Sequence, residues 1–329
     1  MATRGRVLIL GATGGIGGET ARRLIQKKWD VRALKRGFHG SERSGDIQWI
    51  GGDALDPEQV AAAAADCSAI VHAVNPPGYR NWEHLALPML RNTIGAAERT
   101  GALVVLPGTV YNYGPDAFPL VREGAQQMPV TKKGAIRVQM EKELEVYSQR
   151  GGRVLIVRAG DFFGPRAGNN WFSQGLIKPG KLPGVITNPG SPATGHQWAY
   201  LPDVAETIAA LLERREELEP FARFHMQGHW DADGSEMVSA IQRTAARFGG
   251  VAKIRSFPWW FMYLAAPFNA TLRELLEMRY LWRQSVRLDN TKLVNFLGAE
   301  PHTPLDVAVH TTLQGLGCID NTEMPRITV

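Results

Sequence analysis

The chain has 329 residues, 44% hydrophobic and 21% charged, with a formal net charge of +5. That is length enough for one large domain or two interleaved ones with a sizeable core. The mild positive balance comes without a dense Lys/Arg block, which argues against nucleic acid as a partner, and Cys67 and Cys318 are too few for a disulfide framework or a metal site. The longest apolar run, 257–268, has 12 residues and two prolines, short of the roughly 20 needed for a membrane span. Six residues ahead of the first apolar run leave no room for a signal peptide, so a soluble, cytoplasmic protein is expected.

From the N-terminus, β-rich runs alternate with helical patterns. Strands are predicted at 7–10, 31–34, 47–51, 69–73, 103–106 and 154–157, and helices at 15–26, 57–65, 82–100 and 133–149. Most of the strands are continuously apolar, which suits a parallel sheet covered on both faces. The fourth helix sets Ile136, Met140, Leu144 and Tyr147 on one face. Residues 159–200, rich in Gly, Pro and Asn, read as loops reaching over a site. A helix over 201–218, a strand over 223–226, a helix over 235–248 and another from Asn269 toward Trp282 follow. The expected fold class is α/β: a Rossmann-type doubly wound parallel sheet with a smaller, interleaved C-terminal substrate lobe. Residues 1–160 would form the sheet domain, with 197–218 packing back on it, and 161–329 mainly the lobe.

The run Leu8-Ile9-Leu10 leads directly into Gly11-Ala12-Thr13-Gly14-Gly15-Ile16-Gly17 and then into a helix. Glycines at such a turn let a pyrophosphate approach the backbone, and the helix N-terminus offers it free N–H groups. Gly11, Thr13, Gly14, Gly15, Ile16 and Gly17 are therefore candidate ligands of a nicotinamide dinucleotide. The second strand ends in Lys35-Arg36 with no carboxylate, which matches a 2′-phosphate and favours NADP(H) over NAD(H). Asp53, followed by Ala54, is placed to accept a hydrogen bond from the adenine amino group. Ala73, Val74 and Asn75 would pass beneath the riboses.

These features, together with Gly108-Thr109-Val110-Tyr111-Asn112-Tyr113-Gly114, Arg158-Ala159-Gly160-Asp161-Phe162-Phe163-Gly164-Pro165 and the segment from His196 to Ala205, resemble the extended and atypical short-chain dehydrogenase/reductase superfamily over nearly the whole chain. The resemblance is to its epimerase/dehydratase-like members. It implies a Ser or Thr hydroxyl followed by a Tyr-x-x-x-Lys pair. Thr109 matches the hydroxyl, but Lys133 and Arg137 stand at the positions of the pair. An atypical reductase branch with a similar Lys-x-x-x-Arg arrangement implies Lys133 as the acid/base, in contact with the cofactor. The helix dipole and the neighbouring Lys132 both disfavour a charged ammonium there. Arg137, one turn later on the same face, would hold a ribose or phosphate oxygen. Tyr111 is a substitute proton donor, whereas Tyr113 is expected to pack beneath the nicotinamide side. In the competing reading, Lys133 and Arg137 are only a basic helix start.

Phe162, Phe163, Trp171, Phe172 and Trp198 crowd the loops expected to close over the nicotinamide, which suits a small, fairly apolar substrate. The later aromatic set, Trp259, Trp260, Phe261, Tyr263, Tyr280 and Trp282, is expected in the lobe's own core or in a homodimer contact. Asn169 and Asn170 are the best polar groups for a nucleotide sugar. His196, His225 and His229 lack metal-ligand spacing, so no metal is expected. The leading expectation is an NAD(P)H-dependent reductase that transfers a hydride to a carbonyl or conjugated double bond. A sugar-nucleotide epimerase/dehydratase and a non-catalytic dinucleotide-sensing regulator are the alternatives.

Overall fold

The computed structural model describes residues 4–76, 82–168, 170–268 and 270–320. At its centre is an eight-stranded sheet in the order Phe221–His225, Val154–Arg158, Leu103–Gly108, Ala69–His72, Arg6–Leu10, Asp30–Lys35, Ile47–Gly51 and Ser41–Ser44. All neighbours run parallel except the last pair, an antiparallel edge. The strand order reverses between Arg6–Leu10 and Ala69–His72. In doubly wound sheets such a reversal opens a crevice at the carboxyl ends of the strands.

Continuous apolar strands feed two cores because successive side chains point to opposite faces. Val7 and Ile9 join Val31, Val71 and Val105 on one face, beneath the helices Gly15–Gln26 and Leu201–Glu213. Leu8 and Leu10 join Ile70, Val104 and Leu106 on the other, beneath Pro57–Ala64, Trp82–Thr100 and Lys132–Gln149. The predicted face of the last helix is used as expected: Met140, Leu144 and Tyr147 are buried there and Ile136 packs beside them.

The differences lie mostly after residue 158. The helix predicted to reach 218 stops at Glu213, and Arg215–Glu217 makes one 3₁₀ turn. Pro220 forces the residue before it into an extended conformation, and the chain turns there into the outer strand Phe221–His225. Residues 159–200 are not loops alone. Asp161–Phe163 pairs with His196–Tyr200, which pairs with His229–Asp231, and Val185–Asn188 pairs with Lys253–Ser256. Strands of three to five residues flanked by Gly and Pro carry too few side chains to establish a period. The helix expected from 269 appears as Ala270–Glu277 followed by a 3₁₀ segment, Met278–Trp282; residue 269 itself lies outside the described residues. These later elements share a third core around Phe163, Phe172, Trp198, Ile241 and Trp282. No described helix is long and apolar enough to cross a membrane. Cys67 and Cys318 are free and buried, and burial pushes the Cys67 thiol up to about 11.

Candidate active site

A cleft of about 660 Å³ opens at the carboxyl ends of the strands on either side of the reversal. Gly11 makes it possible. Its φ is +92°, and a Cβ there would stand 2.5 Å from the carbonyl oxygen of Ala73. Both the backbone angle and the close approach exclude a side chain. A Cβ on Gly17 would lie 2.3 Å from the Gly11 carbonyl oxygen, so this glycine seats the helix on the turn and does not line the wall. The helix Gly15–Gln26 begins at Gly14 with no side-chain cap and no acidic residue in its first turn. Its leading N–H groups therefore have no carboxylate competing with an incoming anion.

The structure brings the predicted dinucleotide ligands together from four strand ends. Gly11, Thr13, Gly14, Gly15 and Ile16 line the cleft with Lys35 and Arg36, Asp53 and Ala54, and Ala73, Val74 and Asn75. Lys35 and Arg36 are exposed, and the Lys35 ammonium lies 5.5 Å from the centre of the Trp49 ring. Asp53 is held by its own loop: its N–H donates to Gln59 Oε1 at 2.8 Å, and its Oδ1 accepts from the Leu55 N–H at 3.0 Å.

Thr109, Tyr111 and Arg137 also line the cleft. Lys133 is not on its wall; the side chain is buried, 6% exposed, in the first turn of Lys132–Gln149. Thr131 caps that helix, its hydroxyl oxygen accepting from the Gly134 N–H at 3.0 Å. A Cβ on Gly134 would come within 2.2 Å of the Tyr111 carbonyl oxygen, so the helix start is pressed against the backbone of the Thr109–Tyr111 turn. Arg137 donates to Asn75 Oδ1 at 3.2 Å and to the Pro107 carbonyl oxygen at 3.4 Å, and it lies 5.0 Å over the Trp82 ring. It thereby ties two strand ends and a helix start together. Tyr113 is fully buried beside Arg158, and burial raises its hydroxyl above the usual phenol range.

Beneath Thr109 lies a polar network that the sequence reading did not identify. Arg158, with no exposed surface, donates to both carboxylate oxygens of Glu141 at 2.7 and 2.8 Å, to the Thr109 carbonyl oxygen, and to His225 Nε2 at 3.2 Å. Nδ1 of His225 donates to the Val121 carbonyl oxygen at 3.2 Å, which leaves Nε2 as the acceptor. Burial pushes this histidine down to about 3, so it is neutral. Asn112 donates to Glu141 and Gln127 at 2.8 and 2.9 Å, and the Thr109 hydroxyl donates to Asn112 Oδ1 at 3.4 Å. The available signals were a cation ending an apolar strand and a glutamate one helical turn after Arg137.

The remaining lining comes from Trp82 and Met89, on the Arg137 side and not anticipated, and from Phe162, Ala167, Gly168, Asn170 and Leu201. The loop that carries Ala167 and Gly168 is latched by Arg166, which donates to Glu19 at 3.1 and 3.2 Å. Asn170 spends its amide on the Ala167 and Gly168 carbonyl oxygens at 2.8 and 2.9 Å, and Asn169 lies outside the described residues. Of the five aromatic residues expected over the nicotinamide, Phe162 alone lines the cleft. Phe163, Phe172 and Trp198 are buried in the lobe core with Trp171 against it. Strand alternation turns Phe163 away from Phe162. His196 is also structural: Nε2 is 2.9 Å from Asp161 Oδ2, and the ring stacks on Trp282 at 3.7 Å. Among the described residues, no group of three or more His, Cys, Asp or Glu is placed to hold a metal ion.

This sheet order, glycine turn and cleft define a Rossmann-type α/β protein of the extended short-chain dehydrogenase/reductase superfamily. The profile of the NAD dependent epimerase/dehydratase family matches residues 7–225, and the chain belongs to that family of oxidoreductase-type enzymes. No curated protein is significantly similar in sequence. Among solved structures, UDP-glucuronic acid 4-epimerase from Bacillus cereus, in complex with UDP-glucuronic acid and NAD, superposes with a TM-score of 0.71 at 15% identity, covering 94% of this chain and 98% of its own. UDP-N-acetylglucosamine 4-epimerase from Bacillus cereus gives 0.69 at 13% identity over 95% and 99%. The Bordetella bronchiseptica enzyme WbmH, in complex with NAD+, gives 0.69 at 18% identity over 94% and 97%.

Proposed function

We propose that this chain binds a nicotinamide dinucleotide in the glycine-turn cleft and uses it to oxidise and re-reduce a carbinol carbon of a nucleotide-sugar substrate, as epimerases and dehydratases do. The observation that carries the reading is the convergence of the glycine turn, Lys35 and Arg36, Asp53, Asn75 and Thr109 on one cleft. Family membership and likeness to the two UDP-sugar 4-epimerases support this substrate class over the reductase expected from aromatic content. When bound, the dinucleotide supplies reversible hydride acceptance; the protein's part is binding, orientation and proton movement.

The helix start at Gly15 would face the pyrophosphate, and Arg137 the nicotinamide ribose. Lys35 and Arg36 offer two cations to a 2′-phosphate, which supports NADP(H) as the preferred form. The Thr109 and Tyr111 hydroxyls would meet the substrate oxygen, and Lys133, buried in the first turn of the adjoining helix, would act through them as the local cation. Two observations keep a carbonyl reductase as the second reading: Lys133 stands where the family pattern has tyrosine, and the cleft lining is apolar at Trp82, Met89 and Phe162.

The test is product analysis after incubation with NAD+ or NADP+ and a panel of UDP-hexoses and UDP-hexuronic acids. Epimer formation or loss of water supports the proposal. NADPH oxidation by simple ketones with no nucleotide-sugar conversion moves the assignment to the second reading. Thr109→Ala and Tyr111→Phe are each expected to lower turnover by about a hundredfold, within the range ascribed to a positioned proton-transfer group.

A further inference from the structure

The helix Trp259–Ala265 is half-seated. Met262 is buried and Trp259 packs against Trp171 in a tilted contact at 5.9 Å, yet Trp260, Phe261, Tyr263 and Leu264 are 69%, 53%, 52% and 66% exposed. Four large apolar side chains so far in water on one seven-residue helix are unusual unless something covers them. The strand Lys253–Ser256, which leads directly into the helix, exposes Ile254, and its parallel partner exposes Val185. The surface is therefore an apolar ridge extending beyond the helix itself.

Charge accompanies the ridge. The segment that forms the ridge and the helix after it, residues 253–279, holds four Lys and Arg against two Glu. Lys253 and Arg255 are exposed on the leading strand. The Arg279 guanidinium lies 5.2 Å from both the Trp259 and Tyr263 rings and donates to the Tyr263 hydroxyl at 2.5 Å. Arg273 reaches the Pro267 carbonyl oxygen at 3.4 Å, at the far end of the same segment. Exposed Trp, Tyr, Phe and Leu flanked by Arg and Lys are the composition of surfaces that lie in a membrane–water interface and attract anionic headgroups.

We propose that the Trp259–Ala265 face docks the protein peripherally on an anionic lipid surface, with the Trp260, Phe261 and Leu264 side chains entering the headgroup boundary. Charge complementarity selects a lipid over a second copy of this chain, because a copy would bring its own excess of cations to the same face. Since Trp171 directly follows the cleft-lining Asn170, docking would hold the outer loop of the cleft close to that surface.

Co-sedimentation of the full chain with phosphatidylcholine vesicles containing 30% phosphatidylglycerol, against vesicles of phosphatidylcholine alone, tests this. We expect about tenfold more bound protein on the anionic vesicles, falling toward the neutral level when salt screens the attraction. The double variant Trp260→Ser/Leu264→Ser should lose binding while keeping dinucleotide affinity and melting temperature. Phosphatidylglycerol with brominated acyl chains should quench tryptophan emission in the unaltered protein, a readout that needs no variant. Equal partition onto both vesicle types, absence of quenching, or a dimer that the double variant dissociates without any vesicle binding would each overturn the proposal.

Discussion

Lys35 and Arg36, at the end of the second strand, line the cleft and are exposed, where a carboxylate would instead hold ribose hydroxyls. Removing both charges with Lys35→Ala/Arg36→Ala should weaken NADPH binding about tenfold and leave NADH binding unchanged, because only the phosphate loses its partners. Fluorescence titration of both cofactors measures the difference; an equal loss for both would show that the two cations serve the fold. Lys133 is a different kind of residue. Its place in the pattern was legible in the sequence, but its burial was not, because nothing in Lys132-Lys133-Gly134 tells which lysine turns inward. If Lys133 acts through the hydroxyls, Lys133→Met should lower turnover while leaving the KM for substrate nearly unchanged. Full turnover in that variant would remove it from the mechanism.

At the scale of elements, the strand Val154–Arg158 and the helix Lys132–Gln149 are joined beneath the site by the Arg158–Glu141 pair. Glu141→Gln would leave a fully buried guanidinium without its counter-charge, at a cost of about 3–5 kcal/mol. Chemical denaturation should show that loss, and a change below about 1 kcal/mol would contradict the burial of the pair. The regular elements around the network were readable in advance. Apolar strands with helices between them have one economical arrangement, and the Gly15–Gln26 and Trp82–Thr100 boundaries follow from local pattern. The network itself was not readable, because a buried ion pair is set by tertiary contact between residues 17 positions apart. The same reason hid the fate of the aromatic residues: Phe162 and Phe163 look alike in sequence, and strand alternation sends one to the cleft and the other to the lobe core.

Among the described residues, His72, His225 and His229 are buried in neutral form. Burial pushes His72 and His225 down to about 3 and His229 to about 4. The unfolded chain protonates these groups below about pH 6.5, whereas the folded chain does not until far lower pH. Their contribution to stability is therefore complete above that value and is lost as pH falls toward 4 and 3, by about 1.4 kcal/mol per pH unit for each histidine. The melting temperature should fall steadily between pH 7 and pH 4.5, and a flat profile would contradict neutral burial.

The molecule as a whole is organised around one cleft at the reversal of strand order, and occupation of that cleft by a nicotinamide dinucleotide is the claim on which the rest depends. Calorimetric titration of NADPH and NADH into the unaltered protein and into Gly11→Val tests it most directly. The unaltered protein should bind one equivalent, more tightly for NADPH. The variant should show no measurable binding, because its Cβ would meet the Ala73 carbonyl oxygen at 2.5 Å. Failure of the unaltered protein to bind either cofactor, or undiminished binding by a folded Gly11→Val variant, would contradict it.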